Sequence, residues 1–179
     1  AFKAMNDDED STYRIPLTST GVTYLRLDRY EEAVTYFTED VELSRRKLGD
    51  EHPDTLIALE WMGTALQKIK RDEEALGVYT ESLGTARKIF GNEHVDTLKA
   101  LTRMGKILSI QEKHADALPY LDEALEGYVA LDGAGDAGTI QVLELIAELH
   151  ESWHNFEPHA GHDAKAAVFR DQLAEVSAP

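Results

Sequence analysis

The segment at residues 150–154 has the clearest potential for chemistry, because it reads HESWH. It matches the H-E-x-x-H pattern of zinc proteases, in which two histidines one helical turn apart bind the metal and the intervening glutamate acts as general base. A third ligand would have to come from the polar residues that follow: His159, His162 or Asp163. One hypothesis of function is therefore a zinc-dependent hydrolase with Glu151 as its base.

The position of this segment argues against that hypothesis. His150 lies 42 residues after Leu108 and 84 after Leu66, and both leucines belong to the apolar face of a predicted helix. A packing face offers neither an open metal position nor a substrate cleft. We therefore predict no catalytic residue, no metal site and no cofactor, with adventitious metal binding by the histidines between 150 and 162 as the alternative.

The same offset of 42 residues runs through the chain. Residues 48–55, LGDEHPDT, return at 90–97 as FGNEHVDT. The offset also relates residues of one type in successive units: Gly21, Gly63 and Gly105; Ala33, Ala75 and Ala117; Thr55, Thr97 and Thr139. A fixed period of this size is typical of stacked supersecondary units.

Each period contains two predicted helices. Apolar residues recur at steps of three and four, which indicates one buried face per helix, as in Leu56, Leu59, Met62, Leu66 and Ile69. Four repeats follow, at about 14–48, 56–90, 98–131 and 140–176, in a single domain over 1–179 that we expect to be a fragment of a longer chain. Gly63 and Gly105 inside first helices predict a close approach of neighbouring helices.

Proline and cap residues predict where helices begin. We expect residues 1–12 to form a loop and the first helix to begin near Pro16, because proline is tolerated in the first turn of a helix. Pro53 is expected at the first position of the third helix. Asp136 replaces the histidine of the earlier loops and is expected to cap the seventh helix.

The fourth repeat departs from the pattern. Pro158 and Gly161 lie where its second helix would otherwise be running, so that helix is delayed. Residues 163–176 then form a displaced terminal helix that caps the open end of the stack. Its predicted apolar residues are Ala164, Ala167, Val168 and Leu173.

The composition limits the classes of partner. Eighteen Lys and Arg residues against 34 Asp and Glu give a formal net charge of −16 in 179 residues. This charge argues against nucleic acids and anionic membranes as partners. The chain has no cysteine and therefore neither disulfides nor thiolate metal sites. No apolar run approaches the ~20 residues that span a bilayer, and we expect a soluble, cytoplasmic protein.

The small residues at the repeated positions Gly63 and Ala75 resemble those of tetratricopeptide repeats. The 42-residue period and the loop at 48–55 resemble the kinesin-light-chain subtype, including its bacterial arrays. The resemblance implies an all-α fold, a right-handed superhelical α-solenoid of four helix-turn-helix repeats whose first helices line a concave groove for a peptide or another protein. The asparagine pair typical of the subtype is replaced at 60–61 and 102–103, so we expect no amide ladder on the ligand backbone.

Nine residues are candidates for lining that groove. At 100° per residue they point away from the apolar faces of the first helices: Ile57, Trp61, Thr64, Lys68, Lys99, Arg103, Lys106, Leu145 and Glu148. Three neighbouring cations in an acidic protein predict an acidic ligand, with Trp61 as an apolar platform. The alternative is a solvated face whose charges pair with Glu60 and Glu144 and on which Trp61 is partly covered.

The leading prediction of function is thus a non-catalytic protein-interaction scaffold that binds a protein or peptide. The alternatives are the zinc-dependent hydrolase and a self-associating structural array.

Overall fold

Eight α-helices and no strand occur in the residues that the computed structural model describes, 7–132 and 135–176, with side chains described at 16–131 and 135–176. In chain order they are α1 (Asp7–Arg26), α2 (Tyr30–Leu48), α3 (Pro53–Lys68), α4 (Asp72–Phe90), α5 (Val95–Ile110), α6 (His114–Asp132), α7 (Ala137–Phe156) and α8 (His162–Val176). The predicted all-α fold is confirmed.

Helix starts reproduce the period of the sequence. Two series are each spaced by 42 residues: Tyr30, Asp72 and His114 for second helices, and Pro53, Val95 and Ala137 for first helices. Consecutive helices pack together, α1 on α2, α5 on α6 and α7 on α8. The chain forms two compact units, Ala1–Ile89 (unit 1) and Phe90–Pro179 (unit 2).

A residue with left-handed backbone forms the turn inside each of the first three repeats. Its φ is +56° at Asp28, +62° at Lys70 and +60° at Glu112. In the second repeat the N–H of Arg71 then donates to the carbonyl of Leu66 at 3.0 Å. This hydrogen bond ends the first helix as in the Schellman C-cap motif, in which the left-handed residue is usually glycine.

Histidine caps the helix that opens the second and third repeats. Nδ1 of His52 accepts the N–H of Asp54 at 3.1 Å, and Nδ1 of His94 accepts that of Asp96 at 3.2 Å. The accepting nitrogen must be unprotonated, and the ring then does what an Asp or Asn side chain does at an N-cap. Asp136 caps α7 by accepting a backbone N–H at 2.7 Å, as predicted.

The repeated threonine closes the loop between repeats. Thr55 is fully buried and donates Oγ1–H to the carbonyl of Gly49 at 2.8 Å, and Thr97 donates to Gly91 at 2.6 Å. Both glycines have positive φ, +95° and +84°, which residues with a side chain rarely adopt. Pro53 begins α3 as predicted. The repeated octamer is therefore a helix end joined directly to a helix start.

Glycines in the first helices lie against large side chains of the second helices. A β-carbon at Gly63 would be 2.4 Å from Cε1 of Tyr79, and one at Gly105 would be 2.4 Å from Cγ of Leu121. These separations are too short for packed carbon atoms. The predicted close approach is confirmed at both positions.

The predicted start of the first helix is wrong. Residues 7–12 are helical rather than part of a loop, and Pro16 lies inside α1. The segment opens with four acidic residues, a type that helix N-termini favour. Pro16 is exposed, so the helix continues through it with the loss of one backbone hydrogen bond. Residues 1–6 of the expected loop lie outside the described residues.

The fourth repeat contains the predicted delay. Its second helix, α8, begins at His162, six residues later than the period requires, and packs on α7. The predicted apolar face of α8 is wrong for three of its four residues, because Ala164, Ala167 and Val168 are exposed and only Leu173 is half-buried. The buried residues of α8 are His162 and Ala166. Ring stacking sets this register: His162 lies 4.1 Å from Trp153, centroid to centroid. No described helix is long and apolar enough to cross a membrane.

Candidate functional site

His150 is a packing residue, as its register predicts. It is 2% exposed, and its Nδ1 lies 3.2 Å from Nδ1 of His162. One of these nitrogens carries the hydrogen of the bond and the other accepts it. The ring of His150 also stacks on Trp153 and Phe169. The first histidine of the HESWH segment therefore joins α7 to α8.

The remaining residues of the HESWH segment are held apart. Glu151 accepts two hydrogen bonds from Arg170, at 3.0 and 3.2 Å. Nδ1 of His154 lies 3.8 Å from Asp163, and this pair is separate from the His150–His162 pair. Within the part of the chain that the structure describes, no three His, Asp or Glu residues converge to hold a metal ion. The geometry thus gives the hydrolase hypothesis no support.

Burial lowers the pKa of two histidines in unit 2, His150 and His114. It lowers the pKa of His150 to about 4, and the neighbouring His162 and Lys165 act in the same direction. Burial also lowers the pKa of His114, against the opposite influence of Glu112 and Glu157. These rings are therefore neutral near pH 7 and serve in stacking and neutral hydrogen bonding.

In unit 1 the predicted groove residues lie on one exposed strip of α3. Ile57 is 44% exposed and Lys68 is exposed, while Thr64 is half-buried and donates to the carbonyl of Glu60 at 2.9 Å. Trp61 is 36% exposed and stacks on the core ring of Phe37 at 6.1 Å. The indole is therefore partly covered, with the rest of its surface open to solvent.

In unit 2 the three predicted cations differ in environment. Lys99 pairs with Asp96 at 3.0 Å, a partner on its own helix and different from the Glu144 considered above. Arg103 is half-buried near Tyr128, whose pKa is raised by burial, with Arg103 opposing that rise. Lys106 is exposed.

On α7, the next first helix of unit 2, Leu145 is half-buried and Glu148 is exposed. α5 and α7 contact each other, so the residues of these two helices belong to adjoining surfaces within unit 2.

Reasoning from the sequence missed an aromatic cluster in unit 2. α7 continues through His154, which stands at the register of the left-handed turn residues Lys70 and Glu112. The added turn brings Trp153 within 5.7 Å of the ring of His114. The available signal was three aromatic residues, Trp153, His154 and Phe156, where the earlier repeats have turn residues.

A family model for the tetratricopeptide repeat matches residues 17–88 and 54–128. These segments span more than half of the chain, and the protein therefore belongs to the tetratricopeptide repeat family. Repeats of this family are protein-interaction scaffolds and are typically non-catalytic. None of the curated proteins matches the sequence.

Solved structures share the fold at low sequence identity. BtubC (BKLC) from P. vanneervenii is 16% identical with a TM-score of 0.75, over 92% of this chain and 65% of that one. A Podosopora anserina protein described as a kinesin light chain with nearly identical TPR-like repeats is 15% identical with a TM-score of 0.58, over 90% and 93%. A point variant of it is 12% identical with a TM-score of 0.59, over 90% and 92%.

These similarities concern the fold, an all-α repeat solenoid of the type found in kinesin-light-chain-like proteins. The chain spans about 65% of the length of BtubC.

Proposed function

We propose that this protein is a non-catalytic scaffold that binds a peptide, or a segment of another protein, along the outward face of its first helices. The observation that carries the proposal is the cation stripe, which we define as Lys99, Arg103 and Lys106 on α5. These residues follow one another at steps of four and three, so they share one face of the helix. They do so in a chain whose formal net charge is −16.

The environment of the cation stripe suits an acidic ligand. Lys106 forms no ion pair with any residue of the described ranges, so its ammonium group is open to an incoming carboxylate. Arg103, on the same face, adds a second positive charge, because its guanidinium stays protonated. A positive stripe on an acidic protein attracts an acidic segment and orients it. The expected ligand is therefore rich in Asp and Glu.

Apolar residues at the outward-facing positions of the first helices supply apolar surface on which a ligand can be anchored, within each unit. Trp61 and Ile57 are the exposed apolar side chains of α3, and aromatic residues of this kind carry much of the energy at binding surfaces. The proposed binding residues are those at the outward register: Ile57, Trp61, Thr64 and Lys68 in unit 1, and Lys99, Arg103, Lys106, Leu145 and Glu148 in unit 2.

The proposal can be tested with a fluorescein-labelled peptide of alternating Glu and Ser residues with one central Leu. Fluorescence polarisation would give its Kd for the wild-type chain and for Lys106→Glu and Arg103→Glu. Each reversal is expected to weaken binding about tenfold, since it replaces an attraction with a repulsion. Because Lys106 is exposed, its variant should unfold at the same temperature as the wild type.

A matched control is Arg46→Glu on α2, an exposed residue that changes the net charge by the same amount. It should leave the Kd unchanged within about twofold. Equal weakening by Arg46→Glu and Lys106→Glu would show that the peptide responds to overall charge, and the assignment of the cation stripe would be wrong. Trp61→Ala tests the apolar anchor, with its melting temperature measured in parallel because Trp61 packs on Phe37.

A further inference from the structure

α7 is longer than the corresponding helix of the preceding repeat. It contains 20 residues against 16 in α5, which corresponds to about one additional turn. α5 ends where Glu112 adopts the left-handed conformation, whereas α7 continues to Phe156. The additional turn lies beside the turn between α5 and α6, and a hollow of about 310 Å³ forms between them.

The floor of this hollow is aromatic. His114, at the start of α6, is 5% exposed and its Nε2 lies 3.1 Å from Oγ of Ser152. The ring of Trp153 stacks with the rings of His114 and His162, at centroid distances of 5.7 and 4.1 Å. Phe156 is tilted by 48° against His114 and is 57% exposed. The exposed phenyl ring of Phe156 is therefore available for contact.

The rim of the hollow is acidic. Glu112, Asp116 and Glu157 all line it and all are exposed. None of the three forms an ion pair with a residue in the described ranges of the chain. Lys113 is the one cation among the lining residues, and its ammonium donates to Gln111 at 2.7 Å. Three carboxylates and the exposed ring of Phe156 thus line the same hollow.

We propose that this hollow, the α7 hollow (Glu112, His114, Asp116, Trp153, Phe156 and Glu157), binds the guanidinium group of an arginine side chain presented by a partner protein. A guanidinium stacks on an aromatic face and is held there by the ring quadrupole. Its five N–H donors can be shared between carboxylates on different sides. The volume of the hollow is at the lower end of the ~300–1,000 Å³ of ligand pockets, which suits a single side chain.

The α7 hollow differs in charge from the cation stripe on α5. A partner with an acidic segment for the stripe and an arginine for the hollow could occupy both surfaces of unit 2, and the linked contacts would add avidity. The two surfaces are nevertheless proposed on separate observations. A result that contradicts binding at one of them leaves the proposal for the other unaffected.

The test uses the full chain labelled with ¹⁵N and an acetylated, amidated Gly-Arg-Gly peptide as the probe. The chain contains two tryptophans, so the indole N–H of Trp153 reports on the hollow and that of Trp61 serves as an internal reference. Titration to millimolar peptide should give a saturable shift of the Trp153 signal. The matched peptide with citrulline in place of arginine, which has the same shape without the charge, should give none.

Two variants test the residues assigned to binding. Phe156→Ala removes the open ring face and should weaken binding about threefold. Glu112→Gln with Glu157→Gln removes two carboxylates and should weaken it about tenfold. The control is Asp171→Asn with Glu175→Gln, which removes two exposed carboxylates of α8 outside the hollow and should leave the Kd unchanged.

Several results would overturn the proposal. One is an equal shift with the citrulline peptide, and another is equal weakening by the α8 control. Failure of the Trp153 signal to shift at millimolar peptide would also contradict it. A Trp153 signal that moves on dilution of the protein alone would show that a second copy of the chain occupies the hollow instead.

Discussion

Tyr79 lies so close to Gly63 that a β-carbon at position 63 would be 2.4 Å from Cε1 of the ring. Tyr79 is 1% exposed and donates its hydroxyl to Oε1 of Gln67 at 2.8 Å, so the ring is fixed at both ends. Gly63 is therefore a packing requirement of α3 against α4.

We expect Gly63→Ala to destabilise unit 1. The gain in helix propensity is ~1 kcal/mol, while forcing a methyl group against a fixed ring costs ~1–3 kcal/mol. The control is Gly77→Ala on α4, where a β-carbon would meet nothing within 4 Å. That variant should gain ~1 kcal/mol. Urea unfolding followed by circular dichroism should show a lower free energy of unfolding for Gly63→Ala and a higher one for Gly77→Ala. A stabilised Gly63→Ala variant would contradict the close packing.

The left-handed turn residues offer a second stability test. Lys70 has a φ of +62°, a conformation that costs a residue with a side chain ~1 kcal/mol or more and glycine almost nothing. Lys70→Gly should therefore stabilise the chain by ~0.5–1 kcal/mol. Lys68→Gly, two residues earlier at the last residue of α3, relieves no left-handed conformation and should destabilise the chain by up to ~1 kcal/mol. Equal effects of the two substitutions on the urea midpoint would argue against the left-handed turn.

The histidine caps can be tested at the loop before α3. His52→Ala removes the acceptor of the Asp54 N–H and should lower the free energy of unfolding by ~1 kcal/mol. His52→Asn keeps an acceptor in that place and should retain the wild-type value within ~0.5 kcal/mol. Thermal melts of both variants at pH 7 would distinguish them. If Ala and Asn behaved alike, the ring would be acting through some contact other than the cap.

The parts of this fold that could be predicted are those that depend on local or periodic features. The octamer at 48–55 marks a helix end and a helix start through Gly49 and Pro53, whose backbone preferences are intrinsic. The glycine at position 63 indicates close packing wherever its partner lies along the chain. Because these features recur at an offset of 42 residues, the interpretation of one repeat could be applied to the others.

The predictions that were wrong or missed concern residues whose conformation depends on contacts distant in the sequence, or segments where the repeated pattern is absent. Pro16 was expected to begin a helix, yet the segment before it is helical, and proline alone does not show whether a helix extends upstream of it. The face of α8 depends on the stacking of His162 on Trp153, which no aliphatic pattern reveals. The α7 hollow arises because a turn is absent at His154 and an aromatic residue, Phe156, follows.

The burial of His150 makes the stability of unit 2 depend on pH. The pKa of buried His150 is about 4, whereas the unfolded value is ~6.5. Because the unfolded chain binds the proton more readily, stability falls as pH decreases below about 6.5 and stops falling below about 4. Within this window the loss is up to ~1.4 kcal/mol per pH unit.

Urea unfolding of the wild type and of His150→Leu at several pH values between about 4 and 6.5 would measure this dependence. The groups that face the ring are His162, Lys165 and Phe169 from α8 and Trp153 from α7, and none is a carboxylate that could stabilise a protonated imidazole. His150→Leu should therefore lose less stability on acidification, even where it is less stable at pH 7. His159→Leu, at an exposed position, should follow the wild type. Protonation of the carboxylates in this acidic chain affects all three proteins alike, so parallel pH profiles for the wild type and His150→Leu would exclude His150 as the source of the dependence.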